Sequence, residues 1–178
     1  ALSSSADTAE IRKTRESVDY MQSILDDTVR KVRKISRRLH PPVLDSSGLI
    51  EALEWQVNEL SRYEGVDIRY RPECREIDLE KAESLALFRI VQEAITNSIR
   101  HAAPGTIELK VALEDGLLVL SVRDDGKGFD AEGLVPASSF GLMSMGERAA
   151  QIGAELDISS TPGAGTTVRI SVPAKESS

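Results

Sequence analysis

Cysteine, histidine and aromatic residues are scarce in this chain of 178 residues, and long hydrophobic runs are missing. The single cysteine, Cys74, excludes an internal disulfide framework and a cysteine-based metal site, and it is typical of a reducing cytoplasm. No apolar run approaches the roughly 18 residues of a membrane-spanning helix. The 40% of hydrophobic residues still suffice for a core, and the 29% of charged residues indicate a water-soluble, cytoplasmic segment. The length allows one ordinary domain with an appendage, or two small domains.

The net charge of −7 is unevenly distributed. Residues 30–38, "RKVRKISRR", carry six basic groups and no acidic group, and subtracting these six charges leaves −13 for the rest of the chain. A basic run is also found in nucleic-acid-binding surfaces. Here no aromatic residue is interleaved and the run lies within a helical repeat. The pattern therefore favours a solvated or partner-facing helix surface, with no direct binding of nucleic acid.

A seven-residue apolar repeat precedes the proline pair at residues 41 and 42. It consists of a first set of positions and a second, partly polar set: Ile11, Val18, Leu25, Val32 and Leu39, then Thr14, Met21, Thr28 and Ile35. This repeat predicts a coiled-coil helix over about residues 8–40, which the prolines end. One helix cannot bury its own apolar seam, so we expect a partner helix, either from upstream sequence or from a second chain; for the full protein we expect a homodimer through this helix.

Beyond the prolines the pattern changes to shorter elements. We predict helices over residues 49–63, 78–101 and 141–152, strands over 66–71, 106–113, 117–124, 155–159 and 166–172, and a glycine-bearing loop over 125–140. Helices followed by hairpin strands favour an α+β fold, a two-layer α/β sandwich with helices on one face of a mixed sheet.

One predicted helix contains a set of polar residues with a chemically useful spacing. Glu93 and Asn97 are four residues apart, and Arg100 and His101 follow one turn later. Carboxylate and amide oxygens are ligands that Mg²⁺ prefers, with phosphate oxygens completing its coordination shell. A polar stripe facing solvent explains the same spacing equally well. The helix by itself does not decide between a site and a surface.

Three later segments add to this helix. Asp124 ends an apolar strand and is followed by Gly126 and Gly128, which is either an acidic turn or a carboxylate that accepts a hydrogen bond from an exocyclic amine. Gly141 begins a helix whose free amide groups can face a phosphate. Thr166 enters the last strand from a tight turn. Each signal is weak, but together their order and spacing predict a nucleotide site.

Four segments together resemble the asparagine box and glycine boxes of the histidine-kinase and gyrase-type ATPase superfamily: "EAITNSIRHA", "DDGKGFD", "FGLMSMGERA" and "GAGTTVRISVP". The preceding "ISRRLHPPVLDSSGLIEAL" is similar to the link between dimerisation helix and ATP domain in sensor kinases of the nitrate-sensor class. The resemblance runs from about residue 15 onward. It implies the second dimerisation helix over residues 1–42, an ATP-binding catalytic domain over 43–178, and a response regulator with a helix-turn-helix output domain as partner.

The resemblance also implies ATP and Mg²⁺ as ligands and gives roles to residues of the first helix box. Asn97 would ligate Mg²⁺, and Glu93 would hold a water or a further contact of the metal site, which makes these two the catalytic candidates. Arg100 and His101 would lie near the phosphates.

The other boxes would hold the base and close the pocket. Asp124 would accept a hydrogen bond from the adenine amino group, Gly126 and Gly128 would line the base pocket, and Thr166 would contribute to the pocket wall. Gly141 and Leu142 would present backbone amides to the phosphates, below a lid formed by residues 130–140.

Two positions depart from the family pattern. Ser139 stands where relatives often have a glycine, which is expected to stiffen the hinge of the lid. Gly146 stands where an arginine is usual, which weakens the helix by up to about 1 kcal/mol relative to a better helix former. Neither change removes a nucleotide contact.

Neither of the two histidines matches the phosphorylated histidine of the family. His40, in "RRLHPPVLD", matches the position where relatives carry Arg or His before the prolines, and His101 belongs to the ATP site. Because the chain begins with Ala1 and a serine-rich run, we expect it to be a segment of a longer protein. The acceptor histidine and any membrane anchor would lie upstream.

The resemblance therefore predicts the catalytic core of a sensor histidine kinase, which transfers the γ-phosphoryl group of Mg-ATP to a histidine of the missing helix. Two alternatives stay open. An anti-sigma-factor serine kinase shares the asparagine and glycine boxes. The long heptad helix and the "PPVLD" link argue against this alternative. A catalytically silent dimerisation module would have no need of an intact Asn97 and Asp124.

Overall fold

The computed structural model describes residues 42–74, 77–130 and 140–174, together with Met21 and Leu25. The chain divides into two units, Ala1–Pro41 and Pro42–Ser178. Met21 and Leu25 are helical and exposed. The rest of the predicted helix over about residues 8–40, with its basic run and His40, lies outside the described residues, as does Ser139. That helix and its role in dimerisation stay predictions.

The second unit contains helices and strands in an irregular order. They are α1 (Pro42–Ser47), α2 (Leu49–Glu64), β1 (Asp67–Pro72), α3 (Lys81–Asn97), β2 (Thr106–Glu114), β3 (Leu117–Asp124), α4 (Phe140–Gln151), β4 (Glu155–Thr161) and β5 (Gly165–Pro173). A π-helical turn, Ser98–Ala102, directly extends α3. The five predicted strands are confirmed to within two residues at each end. The short helix α1 was not predicted, since no element was assigned to the residues between the proline pair and residue 49.

The start of α3 differs from the prediction, which placed it at Asp78. A capping box begins the helix instead at Lys81: Glu80 is the cap, and its backbone N–H donates to Glu83 Oε2 at 2.8 Å. This arrangement satisfies amide groups that have no partner within the first helical turn. The end of α2 matches the prediction, since Gly65 caps it in a left-handed conformation with φ 68°.

The five strands form one mixed sheet in the order β1-β2-β3-β5-β4. β1 and β2 are parallel, since α3 connects them as a crossover, and every other neighbouring pair is antiparallel. Alternate strand residues are buried with the apolar residues of α2 and α3 in one core: Ile107, Leu109, Val111, Leu118, Leu120, Val122, Val168, Ile170 and Val172. The predicted α+β fold with a mixed sheet is therefore confirmed.

The opposite face of the sheet carries charged side chains. Ion pairs join Arg71 to Glu108 and Arg169 to Glu114, at 2.8 and 2.7 Å. All four side chains are at least 39% exposed, so these pairs add little to stability. Among the residues that the structure describes, no helix is both long and apolar enough to cross a bilayer.

Gly146 is expected to weaken α4, so the Gly146→Ala variant should be more stable than the parent by about 1 kcal/mol. The residue is exposed in the middle of the helix, and a Cβ atom added there would meet no atom within 4 Å. Gly153→Ala is the matched control. A Cβ at Gly153 also meets open space, but its φ of +66° strains an alanine, so this variant should lose stability. Urea unfolding measures both, and a destabilised Gly146→Ala variant would contradict the prediction.

Candidate functional site

A cavity of about 510 Å³ opens where the end of α3, the π turn, the start of α4 and the ends of β3 and β5 meet. Nine of the ten residues singled out from the sequence line it: Glu93, Asn97, Arg100, His101, Asp124, Gly128, Gly141, Leu142 and Thr166. These residues come from four separate segments of the chain. The tenth, Gly126, does not line the cavity.

Asp124 lies at the end of β3 and is only 3% exposed. Its Oδ1 accepts hydrogen bonds from the backbone N–H groups of Gly126 at 2.9 Å and Thr166 at 3.3 Å. Its Oδ2 accepts a hydrogen bond from the Ser98 hydroxyl at 2.7 Å. The carboxylate thus has three donors around it, which compensates for its burial.

Sequence reasoning missed Ser98, which is buried and lines the cavity. The residue follows Asn97 directly and belongs to no spacing pattern. Its contact with Asp124 joins positions 26 residues apart, through the packing of the π turn on the sheet. The sequence contains no signal for such a contact.

A second polar network lies beside Asp124, where β4 and β5 meet. The Ser160 hydroxyl lies 3.0 Å from both the Gly165 carbonyl oxygen and Thr166 Oγ1, and it accepts the Phe129 N–H at 2.9 Å. These bonds fix the Thr166 hydroxyl at the cavity wall and tie the loop after β3 to the sheet. Ser160 and Phe129 had no sequence signal either.

Two glycines are required where backbones come close together. Gly128 has φ +58°, and a Cβ there would lie 2.1 Å from the Thr161 carbonyl oxygen. Gly126 is required for another reason, since a Cβ added there would lie 2.5 Å from the Ala102 carbonyl oxygen. Real Cβ atoms do not come so close, so Gly126 lets the loop pack on the π turn. In the structure Gly126 provides this packing and the N–H that holds Asp124, and its role in lining the base pocket stays a prediction.

Glu93 and Asn97 lie next to the start of α4. A Cβ at Gly141 would lie 2.5 Å from Glu93 Oε1 and 2.9 Å from the Asn97 side-chain amide nitrogen. A side chain at position 141 would therefore displace the ends of both side chains from the first turn of α4. One carboxylate and one amide are a suitable partial donor set for Mg²⁺ that is bound mainly by phosphate and water. Among the described residues, no group of three or more His, Cys, Asp or Glu side chains could hold a metal ion by itself. Mg²⁺ at this site would therefore need ligands from phosphate or water.

The cationic side chains lie at the rim. Arg100 and His101 are exposed within the π turn and line the cavity, and so does the exposed Lys127. The backbone of Lys127 holds two loops together, because its N–H donates to the Ala102 carbonyl at 2.9 Å and its carbonyl accepts the Gly163 N–H at 2.7 Å. The rim is thus positive, whereas the interior holds the carboxylates of Glu93 and Asp124. This polarity suits a ligand with an anionic end outside and a neutral, hydrogen-bonding end inside.

Asp125, the residue after Asp124, joins the loop to the segment before β2. Its Oδ1 accepts hydrogen bonds from the backbone N–H groups of Gly105 at 2.8 Å and Thr106 at 2.9 Å. The bond from Thr106 is the main cause of a lowered pKa of the Asp125 carboxyl, and the bond from Gly105 adds to it. The charged form is therefore favoured in the folded chain.

This lowered pKa predicts how stability depends on pH. A carboxyl with a depressed folded-state pKa stabilises the fold above its unfolded pKa, roughly 4, and this contribution is lost as pH falls through the folded value. Between pH 7 and pH 3 the parent should therefore lose more stability than the Asp125→Asn variant, which keeps the acceptor oxygen but does not titrate. Chemical unfolding at several pH values measures this, with Asp78→Asn as the exposed control. Parallel pH profiles for the parent and the Asp125→Asn variant would exclude the effect.

Comparisons with known proteins agree with this geometry. Residues 82–176, more than half of the chain, match the family described as histidine kinase-, DNA gyrase B- and HSP90-like ATPase. The chain is 32% identical over 161 residues to the sensor histidine kinase LiaS of Bacillus subtilis, across 90% of this chain and 44% of that protein. It is 30% identical over 158 residues to the sensor protein VraS of Staphylococcus saprophyticus, across 89% of this chain and 45% of that protein. The chain thus spans less than half the length of these relatives.

The fold has a counterpart among solved structures. The blue-light activated histidine kinase of Erythrobacter litoralis EL346 matches with a TM-score of 0.67 and 22% identity, across 81% of this chain and 49% of that one. At this identity the likeness shows the fold alone. The family match over residues 82–176 goes further, and it confirms the resemblance that the sequence boxes predicted. The chain belongs to the family of histidine kinase-, DNA gyrase B- and HSP90-like ATPases.

Proposed function

We propose that this chain is the ATP-binding catalytic core of a sensor histidine kinase. In the parent protein it transfers the γ-phosphoryl group of Mg-ATP to a histidine of a first dimerisation helix, for relay to a response regulator with a helix-turn-helix output domain. The longer protein works in the cytoplasm as a homodimer through the helix over residues 8–40, and any membrane anchoring comes from segments outside this chain.

One observation carries the proposal: a buried carboxylate, Asp124, is held by three donors in a cavity that also contains Glu93 and Asn97. A carboxylate with all its neighbours donating is an acceptor for the amino group of adenine. Family membership implies ATP as the ligand. Asp124 would accept from the base, and Thr166 and Gly128 would shape the wall beside it.

The phosphates would lie towards the start of α4. The backbone amide groups of Gly141 and Leu142 can donate to phosphate oxygens there, and the helix dipole adds to this interaction. Arg100 and His101 would lie near the phosphates, and the Arg100 guanidinium at the rim provides positive charge. Glu93 and Asn97 would hold Mg²⁺, which neutralises charge on the phosphate oxygens when it is bound. Catalysis would then depend on positioning and charge stabilisation.

The proposal is favoured over an anti-sigma-factor serine kinase by the extent of the sequence similarity. The matched relatives are named a sensor histidine kinase and a sensor protein, and their alignments cover 89–90% of this chain, well beyond residues 82–176. A silent dimerisation module is disfavoured because it would not need Asn97 and Asp124, and both residues line the cavity. Among the described residues, every buried side-chain nitrogen and oxygen atom also has a hydrogen-bond partner.

The role of Asn97 predicts that Asn97→Ala removes most of the Mg²⁺-dependent part of ATP affinity. Calorimetry of ATP binding, with Mg²⁺ and with EDTA, should show at least a tenfold gain from Mg²⁺ for the parent and much less for this variant. That factor corresponds to about 1.4 kcal/mol, on the order of one charge-assisted contact. Asn58→Ala, an exposed asparagine of α2, is the control. An equal gain from Mg²⁺ in the Asn97→Ala variant would mean that Asn97 is no ligand.

Phosphotransfer tests the function itself. The chain is incubated with labelled Mg-ATP and a separately supplied first dimerisation helix that carries the acceptor histidine. We expect acid-labile label on the added helix and none on this chain, and His40→Ala should change neither result. Label on this chain that disappears in the His40→Ala variant would instead make His40 the substrate.

A further inference from the structure

The Ser98 hydroxyl is the only side-chain donor to Asp124 in the part of the chain that the structure describes. The other two donors, Gly126 and Thr166, are backbone N–H groups, and both donate to Oδ1. Ser98 alone donates to Oδ2. Substituting Ser98 therefore removes a donor to this carboxylate directly, without changing the backbone.

The position of the hydroxyl proton follows from the distances. Ser98 Oγ lies 2.7 Å from Asp124 Oδ2 and 3.2 Å from the carbonyl oxygen of Ala94, and the hydroxyl has a single proton. A separation of 2.7 Å between two oxygen atoms is a full hydrogen bond and requires a proton between them. The shorter of the two distances therefore places the Ser98 proton towards Oδ2.

This arrangement has a consequence for the ligand. Because all three neighbours donate to its oxygen atoms, Asp124 presents itself to the ligand as a hydrogen-bond acceptor. A purine amino group would be accepted, whereas an oxo group in its place would bring two acceptors together. Without the Ser98 donor, Oδ2 would lose its partner, and the carboxylate would be held only through the two amide donors on Oδ1.

We propose that Ser98 is a positioning residue that holds Oδ2 of Asp124 and thereby makes the site select a purine with an amino group over one with an oxo group. The inference rests on the proposed ATP site and goes beyond it in assigning the selectivity to the pair of Ser98 and Asp124. Ser98 itself does not transfer a group.

The test compares ATP with inosine triphosphate, which has an oxo group in place of the amino group. Dissociation constants are measured by calorimetry for the parent, Ser98→Ala, Ser98→Thr and Thr96→Val. The loss of a hydrogen bond to a charged group should lower the ATP affinity of Ser98→Ala by about tenfold or more, with less than about a twofold change for inosine triphosphate. Ser98→Thr keeps the hydroxyl and should stay within about threefold of the parent for ATP.

Thr96→Val is the matched control. Thr96 Oγ1 donates to the carbonyl of Gln92 at 2.7 Å, four residues earlier on α3, but Thr96 does not line the cavity. This variant removes a hydroxyl from the same helix without touching Asp124. It should leave both nucleotide affinities unchanged.

A readout without nucleotide completes the experiment. The backbone amide resonance of Gly126, whose N–H donates to the same carboxylate, should shift in Ser98→Ala and stay in place in Thr96→Val. Equal losses for both nucleotides, or no loss with an unmoved Gly126 resonance, would overturn the proposal for Ser98 even if Ser98→Thr failed to fold. A parent chain that binds no ATP would instead refute the proposed function.

Discussion

The Asp124→Ala variant is expected to bind ATP at least a hundredfold more weakly than the parent. The substitution removes the acceptor for the base and leaves the donors of Ser98, Gly126 and Thr166 without their partner. Buried donors that lose an acceptor cost about 1–3 kcal/mol each, so this variant should also be less stable. Calorimetry measures the affinity, and thermal unfolding shows whether the chain is still folded.

Asp124→Asn separates the loss of binding from the loss of stability. The amide oxygen can still accept from Gly126 and Thr166, and the amide NH₂ can donate to Ser98 Oγ, whose own proton then turns to the Ala94 carbonyl at 3.2 Å. The fold should therefore stay intact. The cavity, however, would present a donor to the amino group of the base, so ATP binding should still be lost. Asp157→Asn, an exposed residue of β4, serves as the control, and parental affinity in the folded Asp124→Asn variant would refute the base pocket.

The second large effect is expected at Gly165, in the turn between β4 and β5. Gly165 has φ +82°, and a Cβ there would lie 2.0 Å from the carbonyl oxygen of Asp124 and 3.2 Å from the Cα of Asp125. The Gly165→Ala variant must therefore adopt a strained backbone and also push β5 away from β3. Together we expect a loss of at least about 3 kcal/mol in the free energy of unfolding. Because Thr166 donates to Asp124 from the next position, the nucleotide affinity should fall as well.

Gly163 provides a control two residues away in the same turn. Its φ is +81°, nearly identical, but a Cβ there would meet no atom within 4 Å. Gly163→Ala should therefore cost only the backbone strain, about 1 kcal/mol. Urea unfolding of both variants isolates the steric overlap with Asp124. Equal losses of stability in the two variants would show that the close approach of the two strands is not required.

The sequence was most informative where a short pattern is enough to specify an element. The alternation of apolar residues in β2 and β3, with turn residues between them, placed the hairpin to within one residue. It was less reliable at ends that depend on side-chain capping, as at Glu80 and Glu83, where the start of α3 came three residues later than predicted. Several acidic residues lie near the start of this helix, and the path of the preceding chain determines which of them caps it. A local sequence pattern does not contain that path.

The chemistry of the site divides in the same way. Residue types and their order along the chain were sufficient to predict Glu93, Asn97, Asp124, Gly128 and Thr166 as residues of one site, because each belongs to a box with its own spacing. The same boxes assigned Gly126 to the base pocket, whereas its absent side chain leaves room for Ala102. Both interpretations require a glycine, so the sequence could not distinguish them.

By itself, the sequence determined the α+β class, the family and half of the residues that line the cavity. Local periodicity and box spacing are properties of contiguous residues, and a single chain displays them directly. Only the tertiary structure decided that Ser98 holds Asp124, that Gly141 lies against Glu93, and that Gly165 lies against the end of β3. The residues of these three contacts lie 26, 48 and 41 positions apart along the chain, in that order. They form only when α3 and α4 pack on the sheet that contains β5. That packing decides whether two oxygen atoms come within a hydrogen-bond distance of 2.7 Å, and whether a single methyl group would overlap a neighbouring atom.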